Sequence, residues 1–150
     1  MTITKTEYST LEQAFDYFNS VLFNNKLPAV MITLQHSKQF NGYCWKDKFS
    51  VRGVEGNNTK TYEIALNPDT FRGRTDKDIL STLVHEMVHV AHYETGKAPK
   101  GGYHDKKWGM MMKLIGLHPS NTGAVGGKET GNRMSHYIIT GAAFDTYCDA

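Results

Sequence analysis

The stretch that decides the fold runs from Asp76 to Thr95 and reads DKDILSTLVHEMVHVAHYET. Its apolar residues recur at helical spacing, which is typical of a helix that packs into a core. Thr75 and Asp78 resemble the capping box found at helix starts, and Gly96 is suited to ending the helix. We therefore predict one long, buried helix over 76–95.

This helix contains His85-Glu86-Met87-Val88-His89, an H-E-x-x-H motif. His85 and His89 are four residues apart, so both imidazoles project from one face and can bind one metal ion. Glu86 lies beside His85, where it could take a proton from water that the metal activates. Polar residues in an apolar helix need partners, which favours a metal centre over two packed histidines and a surface glutamate.

His92 continues the histidine stripe, but its position argues against a ligand. It lies about 10.5 Å from His85 along the axis at 1.5 Å per residue, and ligands about 2 Å from one ion cannot span that distance. The metzincin pattern requires histidine at position 95, where this chain has Thr95, so that class is excluded. We expect His92 to pack in the core or to support a ligand.

A catalytic zinc ion needs a third protein ligand and an open position for water. We prefer His104, which follows His89 by 15 residues, beyond a glycine-containing turn and at the start of another apolar helix. A helix–loop–helix hairpin would fold it back over the first helix. The candidates for the third metal ligand are His104, Asp105, His118, Glu129 and His136.

The rest of the chain predicts an α+β fold in a single domain, residues 1–150, with a core at about 10–117 and a loop-rich tail at 118–150. We predict helices at about 10–24 and 104–117, and strands at 30–35, 40–45, 61–66 and 136–139. Polar segments with glycines predict a hairpin or loop at 46–60 and a loop at 119–133.

Composition excludes several classes of protein. Hydrophobic residues make up 39% of the 150 and the net charge is +2, which is typical of a globular protein and excludes neither nucleic acid nor protein as a partner. The chain has no signal-peptide pattern, no membrane-length apolar run and only two cysteines, Cys44 and Cys148. We therefore expect a cytoplasmic, intracellular protein with reduced thiols.

The segments 81–92 (STLVHEMVHVAH) and 101–117 (GGYHDKKWGMMMKLIGL) resemble the SprT-like metalloprotease domain, the Spartan type. Members combine H-E-x-x-H with a third histidine after a short glycine-containing loop and an aromatic residue, here Trp108. Segments 23–34 (FNNKLPAVMITL) and 61–68 (TYEIALNP) are similar to the family's opening and to its strand before the active-site helix. Segment 126–138 (GGKETGNRMSHYI) resembles phage and mobile-element members.

The resemblance implies a small zincin-like fold, with helices packed on a short sheet of three to four strands. It implies zinc at His85, His89 and His104, with Glu86 as the catalytic acid and base. Many members carry a cysteine-rich zinc ribbon after the protease core, whereas only Cys148 follows it here. We therefore expect one zinc ion.

Two functions compete. The first is zinc-dependent hydrolysis of peptide bonds, with Tyr103, His136 or Tyr137 as possible donors to the oxyanion. The second is a non-catalytic, DNA-associated binding module with a structural zinc ion, which would have no use for Glu86 and could stack bases on Tyr103 and Trp108. The resemblance also suggests proteolysis of DNA-bound proteins, as in DNA–protein crosslink repair. The lysines that could contact DNA are Lys97, Lys100, Lys106 and Lys107.

Overall fold

The computed structural model describes residues 8–52 and 58–149. The chain divides into two compact units, residues 1–90 and 91–150, and the division falls inside a continuous helix. This division does not test the single-domain organisation, which stays a prediction. No helix in 8–52 or 58–149 has the length and apolar character needed to cross a membrane.

The first unit contains two helices and a three-stranded sheet. Its elements are helix α1 (Tyr8–Phe23), strands β1 (Val30–Leu34), β2 (Gly42–Arg52) and β3 (Asn58–Leu66), a 3₁₀ helix (Pro68–Thr70) and most of helix α2 (Asp76–Glu94). The strand order is β1-β3-β2, with β1 parallel and β2 antiparallel to β3. Ile32 and Cys44 both pair with Ile64, so these three side chains share the face of the sheet that is buried at Ile64.

Helix α1 buries Leu11, Phe15 and Phe18, the apolar stripe that its sequence predicts. Its end is fixed by Asn19, whose side-chain amide donates to the Leu27 carbonyl over 3.2 Å and accepts from the Leu27 amide over 3.1 Å. The predicted helix is confirmed.

Asn67 ties together the loops that precede α2. Its side-chain NH₂ donates to the carbonyl of Ser37 over 2.5 Å and to that of Phe40 over 2.8 Å, and its Oδ1 accepts from the Asp69 amide over 3.0 Å. The residue is fully buried, so these bonds satisfy an otherwise costly amide. The turn after β3 is thereby held in place.

Helix α2 begins as the sequence predicts. Thr75 Oγ1 accepts a hydrogen bond from the Asp78 amide over 3.1 Å, which satisfies one of the free donors at the helix start. Arg74 clasps the same turn, with its Nε 2.8 Å from Asp78 Oδ2 and its Nη2 2.6 Å from Thr82 Oγ1. The predicted long, buried helix is confirmed.

The second unit is built around helix α3 (Lys106–Ile115). Its other elements are a 3₁₀ helix (Lys100–Gly102), strands β4 (Leu117–Ser120) and β5 (Ser135–Ile138), which pair antiparallel, and helix α4 (Ala143–Cys148). Gly116 ends α3 with φ of 99°, and a Cβ there would lie 2.9 Å from the Phe144 amide nitrogen, so glycine is required. Trp108, Met112 and Phe144 form its buried core.

Several predicted boundaries are wrong. The second predicted helix begins at Lys106 and ends at Ile115, and β4 occupies Leu117–Ser120, partly within the predicted loop. By contrast, the hairpin predicted at 46–60 is confirmed: β2 and β3 pair antiparallel up to Arg52 and Asn58, and the residues between them lie outside the described part of the chain. The α+β class is confirmed, with β4 and β5 forming a separate two-stranded sheet.

Candidate metal centre

Helix α2 carries the three residues of the H-E-x-x-H motif, and all are buried. The exposed fraction is 5% for His85, 4% for Glu86 and 7% for His89. The His85 and His89 rings have centroids 5.5 Å apart, as expected for side chains one helical turn apart on one face. Their burial requires a compensating interaction.

His104 belongs to the same group. Its side chain is 8% exposed, and one potential ligand atom from each of His85, His89 and His104 lies within 4.8 Å of those of the other two. Of the five third-ligand candidates, His104 is the one grouped with the motif within residues 8–52 and 58–149. These three buried histidines could hold a metal ion.

The orientation of His104 is set by Gly131. His104 Nδ1 donates to the Gly131 carbonyl over 2.9 Å, and the two backbones also exchange hydrogen bonds of 2.9 and 3.1 Å. The His104 ring packs edge-on against Trp108, with centroids 4.5 Å apart. With Nδ1 protonated, the other ring nitrogen carries the lone pair that a metal needs.

The protonation state of His104 also fits a ligand. Burial lowers the pKa of His104, while its hydrogen bonds to the backbone at Gly131 and Asn132 oppose this shift. A neutral imidazole binds metal, whereas a protonated one does not. The three-histidine donor set therefore suits a divalent ion, and imidazole ligation is compatible with zinc.

Glu86 has the environment of a proton carrier. Burial raises the pKa of Glu86 to about 8, close to the pH at which a general base works best. Burial also raises the pKa of the Cys44 thiol well above its usual range, and the negative charge of Glu86 adds to that shift. The Cys44 thiol is therefore protonated.

His92 lies in the second unit beside Asp105. It is 2% exposed, and its Nε2 is 3.4 Å from Asp105 Oδ1 without forming a hydrogen bond to any described residue. Burial lowers the pKa of His92, and Asp105 opposes that shift. Asp105 Oδ1 also accepts from the Trp108 amide over 2.8 Å, so Asp105 caps α3.

The other candidates from sequence have different surroundings. His118 stacks on Tyr137, with ring centroids 4.8 Å apart, Glu129 forms an ion pair with Lys113, and His136 pairs with Pro119 across β4 and β5. The Lys113 ammonium holds the pKa of Glu129 below its usual range.

Of the two aromatic residues considered as base-stacking platforms, one is unsuitable. Trp108 is completely buried in the core of the second unit, so it is a core residue and no base can stack on it. Tyr103 is exposed.

Two residues that interact with residues of the site were not found from sequence. Gly131 acts through its backbone carbonyl, which leaves no signal in residue type. Cys44 lies on a strand far from the motif in sequence, and only the strand register brings it to the buried face. The alternation of side chains along residues 42–45 was the one available signal for Cys44.

The sequence matches the SprT-like family over residues 11–126, and the chain belongs to that family. It is similar to a Salmonella typhimurium protein described as an uncharacterized protein in the mucB 3′ region, at 46% identity over 49 residues. That match covers 33% of this chain and 66% of the relative, just under two thirds of its length. The resemblance seen in the sequence is thus confirmed, and membership indicates a domain of the metalloprotease type.

Proposed function

We propose that this protein is a zinc-dependent metallopeptidase, in which His85, His89 and His104 hold one zinc ion and Glu86 is the general base. The observation that carries the proposal is the grouping of three buried histidines within 4.8 Å, with a buried glutamate next to one of them on the same helix. Membership of the SprT-like family supports it.

The chemical role of each group follows from its position and charge. A zinc ion held by the three imidazoles would supply Lewis acidity, which would activate water and polarise a carbonyl group. Glu86 accepts the proton that the attacking water loses and then donates it to the leaving amine. Burial raises the pKa of Glu86, which makes its carboxylate a better proton acceptor than an exposed one. The burial of Glu86 also shields this transfer from bulk water.

The number of ligands favours catalysis over a structural role. Structural zinc sites are closed by four protein ligands, whereas catalytic sites have three and an open position. The group within the described part of the chain contains three histidines, and Glu86 is not one of its members. A non-catalytic, DNA-associated module would need a fourth protein ligand, and the buried Glu86 would have no role in it.

We propose that the substrate is a protein or peptide, and that DNA-associated proteins are one class of substrate. The support for DNA is the exposure of Lys97, Lys106 and Lys107 in the second unit. The side chain of Lys100 lies outside the described residues. Such a small set of lysines would give modest, salt-sensitive affinity for phosphates.

The direct test is metal content and peptide hydrolysis by the purified protein, measured together. We expect close to one zinc ion per chain and cleavage of an unfolded protein substrate, both lost on chelation and both restored by zinc. Equal cleavage by the zinc-free protein would contradict the proposal. Zinc binding without cleavage of any protein, with or without DNA, would favour the structural-zinc alternative.

A further inference from the structure

Strand β2 comes close to helix α2 at Gly42 and Thr82. A Cβ at Gly42 would lie 3.1 Å from Thr82 Cγ2 and 3.0 Å from the Ala65 carbonyl oxygen, closer than side chains normally approach. Glycine therefore permits this contact. It also shows that the face of β2 on which a Gly42 side chain would lie is the face that packs against α2.

Cys44 lies on that same face, because residues two apart along a strand project to the same side. From Gly42 to Cys44 the strand advances about 6.8 Å, and from Thr82 to Glu86 the helix advances about 6 Å. The two steps match in length, which allows Cys44 to lie opposite Glu86 as Gly42 lies opposite Thr82. The electrostatic effect of Glu86 on the Cys44 thiol agrees with this placement.

We propose that Cys44 is a positioning residue that holds the Glu86 carboxyl group in place for proton transfer. The inference rests on the proposed function, because it concerns the general base of that reaction. Cys44 is not one of the grouped metal-binding residues within the described chain, so its role acts through Glu86.

The chemistry of a thiol suits this task. A protonated thiol is uncharged, so it does not repel the carboxylate, and its S–H is a weak donor that can point at a carboxylate oxygen. The sulfur also fills space as a small apolar group, which keeps water from the sheet side of Glu86. Removing the sulfur would leave room for the carboxyl group to rotate away from the reacting atoms.

The first experiment compares Cys44→Ala with Cys44→Ser in the zinc-loaded protein. We expect Cys44→Ala to lower kcat by about 10- to 100-fold, the range that a displacement of about 1 Å can cause, with KM and zinc content unchanged. Cys44→Ser keeps a small donor in the same place, and we expect its kcat within about threefold of wild type. Cys148→Ala is the matched control for the other cysteine and should leave kcat unchanged.

A double-mutant cycle separates positioning from general stability. In a Glu86→Gln protein the base is already lost, so adding Cys44→Ala should not lower the residual activity further. If Cys44 has only a packing role, the substitution should lower activity by the same factor in both backgrounds. That result, or an unchanged kcat in Cys44→Ala, would overturn the inference.

A second cycle does not depend on catalysis. In the zinc-free protein, we compare the unfolding equilibrium constant of the Cys44→Ala/Glu86→Gln double variant with the value expected if the two single effects multiplied. The two values should differ by at least about twofold, because neighbouring side chains couple. Multiplicative effects would show that the two side chains are not in contact. If the wild-type protein is inactive but Cys44 and Glu86 are coupled in this cycle, the peptidase proposal is refuted and the contact between the two side chains is supported.

Discussion

His104 Nδ1 donates a hydrogen bond of 2.9 Å to the backbone carbonyl of Gly131. This bond selects the tautomer of the imidazole and, together with the packing of the ring against Trp108, fixes its rotation, as outer-shell partners do in metal sites. The third metal-binding side chain is therefore oriented by a residue 27 positions further along the chain.

The ligand set can be tested by removing one histidine at a time. His104→Ala should lose most bound zinc, with a decrease in affinity beyond the about 100-fold that loss of an outer-shell partner can cause. His92→Ala should keep zinc, because His92 lies beside Asp105 and outside the group of three. Metal analysis after dialysis against a weak chelator measures both, and full zinc occupancy in the His104 variant would refute the assignment.

The role of Glu86 can be separated from metal binding. Glu86→Gln should retain zinc and the fold, and should lose peptide hydrolysis by at least about 100-fold, the lower range for a general base. Cleavage of a protein substrate and zinc content are measured on the same preparation. Near wild-type cleavage by this variant would show that the chemistry lies elsewhere or comes from a contaminant.

The pKa of Glu86 also predicts how the zinc-free protein responds to pH. Burial raises this pKa from 4.5 to about 8, so the folded state holds the proton more tightly than the unfolded state. The resulting stabilisation is fully present below about pH 4.5 and is lost as the pH rises to about 8. The full loss is on the order of a few kcal/mol, at about 1.4 kcal/mol per unit.

Urea unfolding at a series of pH values, with a chelator present, measures this effect. Glu86→Gln should match wild type near pH 4.5 and become the more stable protein by pH 8. Glu129→Gln is the control, because the Glu129 carboxyl group is exposed and its pKa is lowered, so its difference from wild type should be flat above about pH 5. Parallel curves for wild type and Glu86→Gln would contradict the prediction.

DNA binding is tested through its dependence on salt. If four or five of the lysines at 97, 100, 106, 107 and 113 each neutralise one phosphate, the log–log slope of affinity against salt should be roughly −3 to −4.5. Replacing Lys97, Lys100, Lys106 and Lys107 together with Ser should flatten that slope without removing zinc. Absence of binding to single- or double-stranded DNA at about 50 mM salt, or a slope that the substitutions leave unchanged, would remove DNA as a partner and leave the metal site unaffected.

The parts of the fold that the sequence predicts are those with a local periodic signal. Helix α2 and the facing pair His85 and His89 follow from a spacing of four residues, and the Thr75 cap follows from a hydroxyl at the helix start. His104 was predicted as the third ligand because the chain was expected to fold back after a glycine-containing turn.

The parts that were missed depend on distant pairing or on very short segments. Strand β4 contains Pro119 and Ser120, which favour loops, and it forms because it pairs with β5 across an intervening loop. Helix α4 has six residues, too few for an apolar period to show. The position of Cys44 beside Glu86 depends on strand register, which local residue type does not encode.

The side-chain amide of Asn67, which joins the loops before α2, can also be lost by deamidation. Asparagine side chains deamidate when the backbone nitrogen of the next residue attacks them, and Asn67 is followed by Pro68, which has no N–H to give up. Conversion of Asn67 to aspartate would replace the donor to Ser37 and Phe40 with an oxygen and repel both carbonyls. By contrast, the exposed Asn41 precedes Gly42, so slow chemical ageing of the protein should begin at that residue and spare Asn67.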